Sequence, residues 1–212
     1  MNYICSTVRP DVGFAVHYLS RKLPKPTVED MRRARRVLIF LRDTRTRSLV
    51  YPKIQLPANP RVTCYVDASW GNGEKKKTIC GYVIQVENRV IAAATKQQHL
   101  VAQSTTEAEY IGLAYALRDV TWVQNMILEM GLTAQIPLVY CDNQPTIAII
   151  NDEMSMGCLR HLDFKLQFVK DEFEKGTYEV EYIESSDNTA DIFTKNVDSG
   201  NFKRLALKFM KD

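Results

Sequence analysis

The sequence predicts an α/β fold: a mixed five-stranded sheet flanked by helices, preceded by a small helical connection segment. Three observations carry this. Three stretches with strand-like alternation come first, at residues 62–67, 79–86 and 89–95. Helix-period and strand-period segments then alternate to the neighbourhood of residue 191, the pattern of a sheet with helices on its faces. Residues 1–60, by contrast, read as helices broken by prolines. The 212 residues suit one ordinary domain with an appendage. A composition of 45% hydrophobic and 25% charged residues is that of a globular protein. No apolar run reaches the ~18 residues of a membrane span, and nothing at the N-terminus reads as a secretory signal.

Along the chain, Pro10 suits the first turn of a helix whose apolar face is Phe14, Ala15, Tyr18 and Leu19, and Pro24 and Pro26 end it. Thr27 with Asp30 resembles a capping box. Met31, Ala34, Val37, Leu38 and Leu41 then recur at helical spacing. Pro52, Pro57 and Pro60 mark a linker. In residues 62–67, Val62, Cys64 and Val66 alternate with Thr63, Tyr65 and Asp67, so a strand ends in an acid. Glu87-Asn88 separates residues 79–86 from 89–95 as a hairpin turn. A long helix is expected over 104–130, capped by Ser104 or Thr105 and stopped at Gly131. A short strand over 137–142 ends in a second acid. Helices at about 143–151 and 159–175, a strand over 177–183 and a last helix from near Asp187 complete the order.

Charge divides the chain. Residues 1–60 hold 12 Lys+Arg against 4 Asp+Glu, and residues 61–212 hold 16 against 21, although the whole is only +3. Arg32, Arg33, Arg35 and Arg36 share one helix, and Arg42, Arg45 and Arg47 follow. A charge run is usually a solvated face, but this one also fits phosphate contact, with Arg32 and Arg36 as candidates. The five cysteines, an odd number with no C-x-x-C pair, argue against a disulfide framework or a thiolate zinc site. They read as buried thiols in a reducing interior.

Four acids stand at element ends beside apolar sequence: Asp67, Glu109, Asp142 and Asp191. Any one of them alone could be a cap or turn residue. Together they form the oxygen-donor set that magnesium prefers. Two Mg2+ ions ~4 Å apart, with Mn2+ as a substitute, would activate water and stabilise the leaving oxygen of a phosphodiester.

The motifs around these acids are Tyr65-Val-Asp-Ala-Ser-Trp70, Cys80-Gly-Tyr-Val83, Ser104-Thr-Thr-Glu-Ala-Glu-Tyr110, Tyr140-Cys-Asp-Asn-Gln144, Arg160-His-Leu-Asp163 and Ala190-Asp-Ile-Phe-Thr-Lys195. In order and spacing they closely resemble the ribonuclease H domain of copia-type LTR retrotransposon Pol polyproteins. Arg9-Pro-Asp11, Leu19-Ser-Arg21, Pro26-Thr27 and Arg36-Val-Leu-Ile-Phe-Leu41 resemble the segment that joins the reverse transcriptase to that nuclease.

The resemblance implies a ribonuclease H-like fold and metal-dependent cleavage of the RNA strand of RNA–DNA hybrids. It implies three parts: a basic connection segment (1–60), the nuclease domain (61–197) and a C-terminal helical tail (198–212). By motif the catalytic acids are Asp67, Glu109, Asp142 and Asp191. Glu107 and Glu109 both lie in the third motif, but two residues on a helix are about 200° apart, so only one faces the cleft. The Ala-Glu-Tyr context selects Glu109, and Glu107 becomes a first-turn residue favoured by the helix dipole. His161 corresponds to a histidine that assists catalysis or product release, or else packs or lies on the surface. Ser104, Asn143 and Gln144 are candidates for hydrogen bonds to the hybrid, and Lys75, Lys76, Lys77 and Lys195 for phosphate contacts. The sequence departs from the family pattern at Ala93, where an aromatic is usual, and around Leu166-Gln-Phe168, where a second histidine is common.

Tyr65-Val-Asp-Ala68 lacks the paired aspartates of a polymerase hairpin, so the chain is expected to be a fragment that does not polymerise DNA. Expected partners are the hybrid and the reverse transcriptase domain of a parent polyprotein, in an intracellular setting (cytoplasm, virus-like particle or nucleus) with no membrane. Two rivals remain at this level. One is a catalytically silent or domesticated nucleic-acid-binding module; the other is a related integrase- or resolvase-type nuclease.

Overall fold

The computed structural model describes residues 1–51, 53, 55–71, 77–151 and 163–211, with residues 163–166 described by their backbone alone. The N-terminal part runs α1 (Asn2–Thr7), a 3-10 turn (Pro10–Val12), α2 (Gly13–Ser20), α3 (Val28–Asp43) and a short strand β1 (Ser48–Leu49). The central part follows as β2 (Val62–Ser69), β3 (Ile79–Val86), β4 (Arg89–Gln97), α4 (Thr105–Glu129), β5 (Leu138–Cys141), α5 (Gln144–Ile150), α6 (Asp163–Glu174) and β6 (Glu179–Tyr182). A 3-10 turn (Ser185–Asp187), α7 (Asp191–Thr194), α8 (Ser199–Ala206) and β7 (Met210–Lys211) close the chain.

The main sheet has the order β4-β3-β2-β5-β6. β2, β3 and β4 pair antiparallel, whereas β5 pairs parallel with both β2 and β6. The β3–β4 turn takes two residues, and Glu87 and Asn88 both have positive φ (48° and 63°), which matches the twist of the strands it joins. Val62, Cys64 and Val66 are fully buried on the face of β2 that meets α4, and with Ile111, Leu113, Val120 and Val139 they form the larger core. The other face carries a smaller core of Val83, Ile192, Phe193, Leu205, Phe209 and Met210. The cysteines Cys64, Cys80 and Cys141 are fully buried and free, as small apolar side chains in the sheet.

α4 begins where Ser104 Oγ accepts the Glu107 N–H at 3.1 Å, and it ends before Gly131, whose φ of +78° stops the helix. Gly112 lets this helix lie close to the sheet, because an added Cβ there would stand 3.2 Å from Cys80 Cβ.

The capping box of α3 is present: Asp30 N–H donates to Thr27 Oγ1, and Thr27 N–H donates to Asp30 Oδ2 at 3.0 Å. The apolar stripe of α3 is only half used. Ala34, Val37 and Leu41 are partly buried, while Met31 and Leu38 remain 65% and 53% exposed, on a helix whose main packing partner is α2.

The helical stretch expected from near Asp187 is broken. It divides because Asn188, fully buried, spends its side chain on the sheet: Nδ2 donates to the Val66 carbonyl at 2.8 Å and Oδ1 accepts the Ala190 N–H at 3.1 Å. Lys195 is then extended (φ −140°, ψ 163°), which separates α7 from α8. Two short strands were also unforeseen. β1 and β7 pair antiparallel, Ser48 with Lys211 and Leu49 with Met210, so the N-terminal helical part is stitched to the residues after α8.

Candidate active site

The parallel pairing of β2 with β5 puts Tyr65 opposite Tyr140, and their rings stack with centroids 5.0 Å apart. Strand side chains repeat every two residues, and neighbouring strands lie about 4.8 Å apart. Asp67 and Asp142, each two residues further on, therefore arrive level at the same end of the sheet. α7 brings Asp191 to this point, and carboxylate oxygens of Asp67, Asp142 and Asp191 lie within 4.8 Å of one another. Glu109, one turn before Gly112 on α4, reaches the end of β2, where its Oε1 accepts the Ala68 N–H at 3.0 Å. Glu109 Oε2 is buried without a hydrogen-bond partner.

Neighbours fix each acid. Asp67 Oδ2 accepts from the hydroxyl of Thr194, which is itself fully buried. Asp142 Oδ2 accepts from Ser185 Oγ at 2.6 Å. Thr95 Oγ1 donates to the Phe193 carbonyl at 2.8 Å and so ties α7 to β4. Lys195 Nζ lies 2.7 Å from Asp191 Oδ1 and 3.8 Å from Asp67 Oδ1.

Crowding burdens these carboxylates. Burial pushes Asp67 up to about 6, aided by the charges of Asp191 and Asp142 and opposed by Lys195 and Thr194. Glu109 is raised well above its ordinary range, first by burial and then by Asp67 and Asp142. Asp191 is raised by burial, against the pull of Lys195. The nearby Cys141 thiol is also pushed up by burial, so it stays protonated and adds no thiolate to the Glu109–Asp142 group. An all-oxygen cluster with a buried, unpartnered carboxylate oxygen suits a hard divalent cation such as magnesium.

A carboxyl with a raised folded pKa keeps a proton that the unfolded chain has released, so it penalises folding once the pH exceeds the unfolded value, and the penalty is complete above the folded value. For Asp67 that penalty grows from about pH 4, the unfolded value, to about 6 and is constant above. In chelator, the unfolding free energy of Asp67→Asn should match that of wild type near pH 4 and exceed it above pH 6, by up to about 3 kcal/mol. Calorimetry across that range checks this, and an unchanged difference with pH would refute it.

No family model matches the chain. Over 210 residues it is 26% identical to the retrovirus-related Pol polyprotein from transposon RE1 of Arabidopsis thaliana, covering 98% of this chain and 14% of that polyprotein. Over 202 residues it is 29% identical to the counterpart from transposon TNT 1-94 of Nicotiana tabacum, covering 95% of this chain and 15% of the relative. Its homologues are retrovirus-related Pol polyproteins. The chain spans only about one-seventh of these Pol relatives' length. The fold resembles that of LC11-RNase H1, isolated from compost by a metagenomic approach, with a TM-score of 0.51 and 17% identity, covering 63% of this chain and 92% of that one. The five-stranded mixed sheet with its flanking helices is thus ribonuclease H-like.

In this Pol-related chain the other candidate residues fall into distinct places. Glu107 is buried in the first turn of α4, and its carboxylate accepts the Gln103 N–H, so it completes the helix cap. Ser104 is exposed, but its oxygen is engaged as the cap. Asn143 Oδ1 caps α5 through the Thr146 N–H at 2.9 Å, and Gln144 is exposed beside it. Lys77 is exposed two residues before Ile79, which pairs with Ser69 at the site's end of the sheet. Lys75, Lys76 and His161 lie outside the described residues.

Lys195, the candidate phosphate contact at the end of α7, pairs with Asp191 and Asp67 while its side chain stays 36% exposed. Among the described residues, the contacts of the acid cluster come from β2, α4, the segment after β6 and α7, not from α3. Arg32 pairs loosely with Glu29 at 3.6 Å and Arg36 is exposed. Some of the basic charge is internal. Arg9 is buried in a two-pronged pair with Asp11, both contacts 2.9 Å, and Arg47 is 4.0 Å from the same acid. Asn188 and Thr194 were missed as positioning residues. Thr194 stood inside a quoted motif with no role attached, and Asn188 had no signal of its own.

Proposed function

We propose that this chain is a metal-dependent ribonuclease H that hydrolyses the RNA strand of RNA–DNA hybrids, as part of a transposon Pol polyprotein. The observation that carries the reading is the convergence of Asp67, Glu109, Asp142 and Asp191 on one end of a ribonuclease H-like sheet. These four would hold the magnesium. When bound, the metal supplies Lewis acidity at the phosphate and an activated water.

The chain's own residues do the rest. Thr194 and Ser185 orient Asp67 and Asp142 from outside the cluster. The Ala68 N–H fixes Glu109 through one oxygen and leaves the other turned inward. Lys77 and the exposed arginines Arg32 and Arg36 offer phosphate contacts, and Gln144 and the free amide of Asn143 offer donors to the hybrid's minor groove, where 2′-hydroxyls mark RNA. The preceding part of the polyprotein, its reverse transcriptase, is the proposed partner.

The test is cleavage of a labelled RNA–DNA hybrid by the purified chain with magnesium, alongside Asp142→Asn and an all-DNA duplex. Magnesium-dependent cutting of the RNA strand alone is expected. Cutting of duplex DNA, or no cutting above the variant, would overturn the reading.

A further inference from the structure

The least expected contact in the site is a cation of the chain's own. Lys195 is the residue that ends α7, four positions after Asp191 across a single helical turn. Its ammonium sits 2.7 Å from Asp191 Oδ1 and 3.8 Å from Asp67 Oδ1. These two acids, with Asp142, compose the oxygen cluster that could hold a metal ion. A divalent ion would need those same oxygens at about 2.1 Å. An ammonium 2.7 Å from Asp191 Oδ1 already occupies one of those donor atoms and repels an incoming divalent ion, and that repulsion is poorly screened where Asp67 is only 3% exposed. The lysine has somewhere to go: its side chain is 36% exposed, so it can swing toward the mouth of the site.

We propose that Lys195 is a tethered counter-cation that competes with the metal for Asp67 and Asp191 and is displaced when the metal enters. The inference rests on the metal-dependent reading above. Lys195 acts in this way as a positioning residue. It partly neutralises the clustered carboxylates before metal binds, and metal entry frees its ammonium at the mouth of the site. The same exchange lowers the apparent metal affinity by the fraction of time the ammonium is in place.

Calorimetric titration of the full chain with Mn2+ at pH 8, where proton competition is small, tests this. Lys195→Met keeps the length and removes the charge. It should bind Mn2+ more tightly, roughly tenfold if the ammonium holds the site about nine-tenths of the time. Lys195→Arg, which keeps the charge, should stay near wild type. The metal-free melting midpoint of Lys195→Met should fall, and its rise on adding Mn2+ should exceed that of wild type. That second readout serves even if the variant folds poorly without metal. Equal or weaker binding by Lys195→Met, or an equal rise in midpoint, would overturn the proposal. Asp67→Asn and Asp142→Asn separate the two layers. If both bind Mn2+ as wild type does, the metal-site reading itself fails. If both lose binding while Lys195→Met is unchanged, only the competition fails.

Discussion

Asp142→Asn should lower hybrid cleavage by about 10³-fold or more while leaving the fold intact. Removing one carboxylate from a metal cluster forfeits several kcal/mol of charge stabilisation at the phosphate, and each 1.36 kcal/mol is tenfold in rate. Asp142 is the cleanest of the four acids to change. It is only half-buried, and its one described hydrogen bond comes from Ser185, which an amide oxygen can still accept. Its stability should therefore shift by no more than about 0.5 kcal/mol, as at an ordinary partly exposed position. Cleavage kinetics and thermal melting on the same preparation check both halves. A variant that melts normally and cuts at a tenth of the wild-type rate would mean that Asp142 is peripheral to the chemistry.

Gly81→Ala should damage both stability and activity. A Cβ at Gly81 would stand 2.5 Å from Phe193 Cβ, 2.8 Å from Thr194 Cγ2 and 3.0 Å from the Phe193 backbone carbon. The obstacle is the root of α7, not the far end of a flexible side chain, so the helix itself must move. Overpacking of this kind costs ~1–3 kcal/mol, or roughly 3–10 °C in the melting midpoint of a chain this size. Asp191, Thr194 and Lys195 all ride on or beside α7, so the same displacement should pull the carboxylate cluster apart. Gly112→Ala is the comparison, since its nearest obstacle is the Cys80 side chain at 3.2 Å. A Gly81→Ala protein with wild-type melting and cleavage would show that α7 is not held by this contact.

Much of this architecture was legible in the sequence because its signals are local. The alternation of Val62, Cys64 and Val66 against Tyr65 and Asp67 marks a strand and its buried face. Glu87-Asn88 marks a two-residue turn, and Thr27 with Asp30 marks a helix start. Helix geometry required Glu107 and Glu109 to part company and the family resemblance selected Glu109; in the structure one caps α4, and the other meets the Ala68 N–H at the end of β2. What stayed hidden depends on contacts between residues far apart in the chain. Asn188 is an ordinary polar residue until Val66 comes within reach. Lys195 read as a candidate for phosphate contact, and its pairing with Asp191 had no local signal. The exposure of Met31 and Leu38 could not be foreseen from the spacing that made them a helical stripe, because spacing says nothing of how wide the partner surface is.

The pairing of β1 with β7 bears on the order in which the molecule assembles. Ser48 and Lys211 are far apart in the sequence, and contacts of such long separation form slowly, after the hairpin and the parallel strands they enclose. Phe193 of α7 stacks against Phe209 (centroids 6.2 Å apart), one residue before β7, so the setting of Asp191 is coupled to the arrival of the last residues. On a ribosome, Asp67, Glu109 and Asp142 would meet early and the fourth acid late. Amide exchange during refolding should accordingly protect β2 and β3 before α7, and equal protection times would contradict this order. Closure of the four-acid cluster would then be among the last steps of folding.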